Sequence, residues 1–557
     1  MSSPRWPTDF PHPPGVGPVR GRSGAVASTD RLASEVGLEV LREGGNAVDA
    51  TVAVAMALAV VNPEAGNLGG GGFLLIRTPD GGVYAQDHRS TAPAAATPNM
   101  FWSDDGGVTE ASVIGHRAVA VPGSVRGLHD AHRRFGRLPW SRLVEPAVGL
   151  AEGFEVRPRF LHSLPPHIVA GLRRFPTSSA IFLPGGEPPA TGSVLRQPDL
   201  ADTLRRVRDQ GADGFYGGPT AEGIVAEMER GGGLITLADL SGYRAVWRSP
   251  VRFDYRGRTL WSMPPSSSGG VTLALAAHAL SALPPLGDEL WHGVDHLHRL
   301  AEVWRRAFAD RNRWLADPDR VSVPLEGLLD PDYGAARGRT IDLARASSSD
   351  EVGAGAPAFA PSEGDHTTHA SIVDPKGMAV SFTTTLNTWY GSKLVAGGTG
   401  VLLNNEMDDF STRPGVPNFF GLVQGEANAV APGKRMLSAM TPTLVTEGGD
   451  LRLVVGSPGG ATIITTVFQV VSNMLDFGWS LADAVAAPRV HHQHRPDRLD
   501  VEPGGLPDEV IRGLRARGHR VEVRPEEWGD VEAIALSADG ELEAMADPRR
   551  GGVAVAW

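Results

Sequence analysis

Hydroxyls, carboxylates and arginines carry whatever chemistry this chain performs. It has no cysteine, which removes thiolate nucleophiles, disulfides, iron–sulfur clusters and cysteine-containing zinc sites together. Its three lysines, Lys376, Lys393 and Lys434, follow no Gly-x4-Gly frame, so a phosphate-cradling loop is excluded and Schiff-base chemistry is confined to those positions. A hydroxyl could become a nucleophile in the run Asp365-His366-Thr367-Thr368-His369, where a polar, unpatterned stretch gives way to β-branched residues. A hydroxyl needs a base, and cutting the chain so that a threonine becomes N-terminal supplies one in its own α-amino group. Such an amine has a pKa of about 7.7–8, suited to taking a proton near neutral pH. Threonine at a strand start is also ordinary β-propensity, and spacing alone leaves both readings open.

Other polar clusters have a bland reading beside a chemical one. Glu406-Met407-Asp408-Asp409 is either a solvated acidic loop or a grip for a cation. His491-His492-Gln493-His494 suggests a metal, but no carboxylate stands at a recognised ligand spacing, so these histidines read as structural and no metal or cofactor is expected. His369 reads as a hydrogen-bonding residue of the strand. The four glycines of Asn67-Leu68-Gly69-Gly70-Gly71-Gly72 permit close backbone approach in a tight connection.

Alternating helical and strand patterns position these groups, which favours a mixed α and β architecture. The apolar stretch from Asn46 to Val61, entered through Gly44-Gly45, predicts a buried helix and falls short of the roughly 20 residues needed to span a bilayer. Residues 73–76 predict a strand. Helical spacing recurs over 124–135, 200–210, 221–230 and 291–316. Residues 346–365 lack periodicity and predict a structureless segment. β-branched runs at 368–373 and 378–385 flank the turn Asp374-Pro375-Lys376-Gly377, and runs at 441–446 and 451–455 flank Glu447-Gly448-Gly449-Asp450, two hairpins. A buried helix is expected over 459–474, then two or three helices with short strands. With 52 basic against 64 acidic residues and a net charge of −12, a nucleic-acid partner is not expected. The proline-rich N-terminus lacks a basic and apolar signal pattern, so the chain as written reads as not exported.

The motifs together resemble the γ-glutamyltransferase (glutathione hydrolase) family. The resemblance is carried by Asp365 to His369, Thr383-Thr384-Thr385-Leu386-Asn387, Leu402-Leu403-Asn404-Asn405-Glu406-Met407-Asp408-Asp409-Phe410 and Gly456-Ser457-Pro458-Gly459-Gly460. Upstream, Gly44 to Ala50, Gly69 to Phe73, Arg89 to Pro93, Val121-Pro122-Gly123-Ser124 and Met263-Pro264-Pro265-Ser266-Ser267-Ser268-Gly269-Gly270 have family counterparts in the same order. The likeness runs from about Gly24 to the C-terminus.

This resemblance implies an N-terminal-nucleophile hydrolase with an α+β fold, the four-layer αββα sandwich. The precursor would cut itself into a large subunit, 1–366, and a small subunit, 367–557, that together form one αββα unit. Thr367 would be the nucleophile, Thr385 its orienting hydroxyl, and Gly459 and Gly460 the oxyanion-hole donors. Arg89 and Ser438 would hold the α-carboxylate of a γ-glutamyl donor, and Asn387, Glu406 and Asp409 its α-ammonium. Water, an amino acid or a peptide would accept the acyl group. The chain departs from most relatives in carrying Ala439 after Ser438, which removes one hydroxyl, and Phe420 where certain relatives have a lid tyrosine within 411–428. Relatives are often periplasmic or secreted. Two rivals stand beside this reading, a glutaryl-type (cephalosporin-like) acylase and an uncleaved binding protein on the same scaffold.

Overall fold

Alternation along the strands sets the architecture. The computed structural model describes residues 17–105, 107–287, 290–357 and 368–557. In strand Gly71–Arg77, Phe73 and Leu75 face one apolar cluster while Leu74 and Ile76 face another. The same division runs through Asp450–Gly456, with Val454 on one side and Leu453 and Val455 on the other. A strand buried on both faces must lie between two layers. Two seven-stranded sheets result. They share a middle core that includes Ala25, Phe73, Val373, Leu444, Val454 and Ile534.

Helices close both outer faces. Ala47–Val61 is buried along its whole length, and its Asn46 cap and Asp49 exchange backbone hydrogen bonds as a capping box. It packs on the sheet that contains Thr368–Val373 and Ala379–Thr385. Gly269–Ser281, Val294–Trp314 and Thr462–Leu475 cover the other sheet. The order helix, sheet, sheet, helix is the expected αββα sandwich.

The expected hairpins are present, Thr368–Val373 with Ala379–Thr385 and Thr443–Glu447 with Asp450–Gly456. Helix Thr462–Leu475 starts later than the apolar pattern predicts. Gly459 and Gly460 have φ of 134° and 68°, left-handed conformations that keep them out of the helix and make them a turn before it. Residues 346–357 carry no regular structure, as expected, yet they are tied down. Ser347 and Ser349 donate their N–H groups to Glu302 and Asp497 at 3.0 and 2.7 Å, and Gly355 donates to Asp310 at 2.6 Å. Absence of periodicity there marks an irregular path held by side-chain acceptors. Residues 358–365 lie outside the described residues.

Segments from both sides of residue 366 interleave in each sheet. Thr368–Val373 and Ala379–Thr385 sit between Ala25–Ser28 and Gly71–Arg77, and Thr443–Glu447 pairs with Arg258–Ser262. No described helix is long and apolar enough to cross a membrane.

Candidate active site

The ladder of the central hairpin begins with Thr368 opposite Thr384, and Thr385 is the last residue of its strand. His366 and Thr367, the expected junction and nucleophile, lie outside the described residues. Thr385 is fully buried, and its hydroxyl oxygen accepts the N–H of Asn387 at 2.7 Å. That bond helps hold Asn387 at φ 81°, a left-handed conformation asparagine tolerates better than most residues. The Asn387 side chain donates to the Asn405 carbonyl at 3.0 Å, and its own carbonyl oxygen has no acceptor role among the described residues. Gly70 explains the glycine run behind this corner: a Cβ there would overlap the Thr385 carbonyl oxygen.

Arg89, Glu406 and Asp409 meet in one place with no solvent exposure. The guanidinium pairs with Glu406 at 2.9 Å and makes a close contact with Asp409, and its Nε donates to the Met436 carbonyl at 3.3 Å. The acidic run is therefore a buried cluster and not a solvated loop. Asp408 is buried too, but it turns elsewhere, accepting from the Ser112 hydroxyl at 2.7 Å and the Phe419 N–H at 3.1 Å. Burial pushes the Glu406 carboxyl up and Arg89 pulls it down, with the net direction up. In the fold as it stands the arginine fork faces these two carboxylates, so the resemblance's carboxylate-binding arginine and ammonium-binding acids form one charge cluster.

A second layer fixes that cluster. Asp87 accepts the Arg89 N–H at 3.0 Å, the Ser266 hydroxyl at 2.9 Å and Arg248 at 2.6 Å. Burial alone would raise its carboxyl, but Arg248 and Arg435 outweigh burial and hold it at about 2. Ser438 is fully buried on the neighbouring segment; its N–H donates to the Ser266 carbonyl at 2.8 Å and its hydroxyl accepts the Met440 N–H at 3.0 Å. Ala439 is equally buried and belongs to the apolar cluster under the helices.

In the turn before helix Thr462–Leu475, the Gly459 carbonyl accepts the Thr462 hydroxyl at 2.6 Å and the Gly460 carbonyl accepts the Ile463 N–H at 2.9 Å. Neither glycine N–H donates to an acceptor among the described residues. Two adjacent amides at the start of a helix form the kind of preorganised donor pair that stabilises an oxyanion. The histidines are occupied as the sequence suggests. His369 is fully buried, bonded to Thr383 and Ser371 at 2.9 and 3.1 Å, and pushed down to about 3 by burial. His491 meets Thr465 and Gln493, His492 meets Asp497, and His494 meets the carbonyls of Ser349 and Val352.

A sequence profile described as gamma-glutamyltranspeptidase matches residues 33–557. The chain belongs to the γ-glutamyltranspeptidase family. It is 46% identical over 534 residues to the glutathione hydrolase proenzyme of Escherichia coli (strain K12), covering 96% of this chain and 91% of that protein. Among solved structures, cephalosporin acylase from Bacillus halodurans matches with a TM-score of 0.85 at 28% identity, over 99% of each chain. The Helicobacter pylori γ-glutamyltranspeptidase matches with a TM-score of 0.57 at 36% identity, over 62% of this chain and 97% of that one.

This γ-glutamyltranspeptidase-family chain also holds a buried charge network that sequence reasoning missed. Arg159 pairs with Glu64 at 2.9 Å and Asp530 at 3.0 Å, and Arg489 contacts Asp547. Glu532 lies fully buried among them, with neither carboxylate oxygen hydrogen-bonded to a described residue. Burial, then Asp530 and Asp547, push its carboxyl well up. Glu64 and Arg159 lie more than three hundred residues before the other members, so no local spacing announces the network.

Proposed function

We propose that this chain cuts itself between His366 and Thr367 and uses the new N-terminal threonine to hydrolyse or transfer the γ-glutamyl group of glutathione and related amides. The buried cluster of Arg89, Glu406 and Asp409 carries this reading. One arginine and two carboxylates leave a net negative charge in a site closed to solvent, which matches the head of an α-amino acid: its carboxylate takes the arginine fork and its ammonium faces the acids. Asn387 adds an unsatisfied carbonyl oxygen near the same corner, and Ser438 a hydroxyl on the adjacent segment.

With the head held there, the γ-carbonyl would reach the nucleophile. Thr367 Oγ forms a bond to the carbonyl carbon while its α-amino group takes the hydroxyl proton. The oxyanion rests on the amides of Gly459 and Gly460, and Thr385 orients the hydroxyl. The C–N bond then breaks, and the amine departs with the proton from the α-ammonium. Water or an amine repeats the steps on the ester and frees Thr367. Two subunits that share both sheets would stay together after the cut, and the Helicobacter pylori chain, matched almost end to end yet spanning 62% of this one, fits such a division. A glutaryl acylase has the acylase-like structural neighbour and Ala439 in its favour, but its substrate lacks the ammonium that two buried carboxylates call for.

The test is a denaturing gel of active protein with N-terminal sequencing of the smaller band. Two bands, of 366 and 191 residues, with Thr367 at the new terminus are expected, and Thr367→Ala should stay whole and inactive. Activity from an intact chain would overturn the mechanism.

A further inference from the structure

We propose that a cavity among the helices outside the sheet that contains Asp450–Gly456 binds a small monocarboxylic acid with an apolar body, gripped by His296 and Arg299. The inference stands apart from the function proposed above, because the site lies away from the candidate active centre. The cavity has a volume of about 270 Å³. Leu280 reaches it from Gly269–Ser281, His296 and Arg299 from the first turns of Val294–Trp314, and Ser472 and Leu475 from the last turn of Thr462–Leu475. That last helix starts just after the Gly459-Gly460 turn, and its 14 residues set the two places about 20 Å apart.

His296 supplies a buried donor. Its Nδ1 accepts the His292 N–H at 3.0 Å, and burial pushes the imidazole down to about 4, so at neutral pH the ring is uncharged and carries its hydrogen on Nε2. That Nε2 has no hydrogen-bond partner among the described residues, although the side chain is almost wholly buried. An unpaired buried N–H costs free energy that a ligand oxygen would recover. With Nδ1 turned to the backbone before the helix, Nε2 is the edge of the ring left for the cavity.

The charges set the sign of the ligand. Arg256 pairs with Asp476, whose carboxylate also accepts the Tyr255 hydroxyl at 2.6 Å and the Ser472 hydroxyl at 2.5 Å, so that pair is closed and neutral. Asp295 and Glu302, one turn either side of Arg299, are taken by Arg517 and by Arg305 and Arg306. Arg299 follows His296 by one turn on the same helix face. It is half-buried, donates to the Pro284 carbonyl and makes no ion pair with a described residue. One positive charge is left beside one neutral N–H, a pair of donors that suits a single carboxylate. Leu280, Pro284, Pro285, Leu286, Leu475 and Phe477 form most of the remaining wall, which favours an apolar body over a polyol or a phosphate.

The experiment titrates phenylacetate and its uncharged counterpart phenylacetamide into the protein by calorimetry, with thermal midpoints to check that each variant folds. Wild type should bind the acid about tenfold more tightly than the amide, the usual weight of a hydrogen bond to a charged group. Arg299→Gln should bring the acid down to the level of the amide. His296→Phe, which keeps a ring and removes the donor, should weaken the acid about tenfold. Leu286→Trp, which keeps both polar groups and fills the space, should abolish binding of both compounds. A wild-type protein that binds neither compound, or binds them equally, overturns the site. An affinity for phenylacetate that survives Arg299→Gln or Leu286→Trp in a folded variant places the acid elsewhere and overturns it as well.

Discussion

Replacing Asp409 by asparagine tests the charge cluster at its centre. The side chain keeps its shape and loses its charge, so the buried group changes from one arginine with two carboxylates to a neutral Arg89–Glu406 pair at 2.9 Å. Folding should suffer little, because Arg89 retains a counterion. Arg89→Ala would instead leave two buried carboxylates unpaired, an error that costs about 3–5 kcal/mol. Binding is another matter. A substrate ammonium would meet no net negative charge, and losing one partner of a close buried charge pair costs about 2–5 kcal/mol, roughly thirtyfold to several thousandfold in affinity. The assay is kcat/KM for γ-glutamyl-p-nitroanilide against the glutaryl analogue, which lacks the α-amino group, with thermal midpoints as a control on folding. Asp409→Asn should lose most of its activity on the first donor and little on the second. A parallel loss on both donors at an unchanged midpoint would refute the assignment of Asp409 to the ammonium.

Two further predictions follow from buried groups. Glu532 has its carboxyl raised in the fold, so its neutral form is favoured there; the stability it contributes is present below the ordinary carboxylate range and is lost as pH rises towards its raised value. Glu532→Gln removes that loss, and the midpoint of the variant relative to wild type should climb as pH rises above the ordinary carboxylate range and level off beyond the raised value; a difference that stays constant across pH would contradict it. Ala439→Ser restores the hydroxyl most relatives carry. If that hydroxyl reaches the donor carboxylate, KM for γ-glutamyl donors should drop about ten- to a hundredfold, more than for glutaryl donors, at some cost in thermal midpoint because the methyl now sits in an apolar cluster. An unchanged donor ratio would show that position 439 has no part in selectivity.

The layers were readable because strands such as Phe73 to Ile76 are apolar on both faces and the covering helices show a helical or wholly apolar pattern, Asn46 to Val61 being the clearest case. Strand order was not. Ala25–Ser28 pairs with Val553–Ala556 at the far end of the chain, and Val19–Gly21 with Leu542–Ala546, contacts that no window of sequence contains. Among site residues, the motif positions Arg89, Glu406 and Asp409 proved to share one buried point, but their mutual pairing was invisible, since it depends on a loop folding back across more than three hundred residues. Asp87, Arg248 and Arg435, which fix Arg89 from behind, carried no signal of their own. The late start of helix Thr462–Leu475 was a matter of backbone: an apolar pattern reports burial, while the left-handed glycines that end the turn report only as a Gly-Gly pair.

The same geometry separates what self-cleavage would supply from what the fold already has. Arg89 comes from before the proposed cut and Glu406 and Asp409 from after it, and they pair in the fold. The Gly459-Gly460 turn is likewise formed, braced by Thr462 and by Gly529 from the next strand region. On the proposed function, the pocket and the oxyanion donors rest on ladders that mix both segments and would not need the cut to form. The proposed cleavage would then contribute an α-amino group at residue 367, the base a threonine hydroxyl lacks while its nitrogen is locked in a peptide bond. An uncut precursor with a complete pocket and no base is a protein that binds and does not turn over. On that proposal, and if the same amides serve the oxyanion of the cutting step, folding would come first and cutting second.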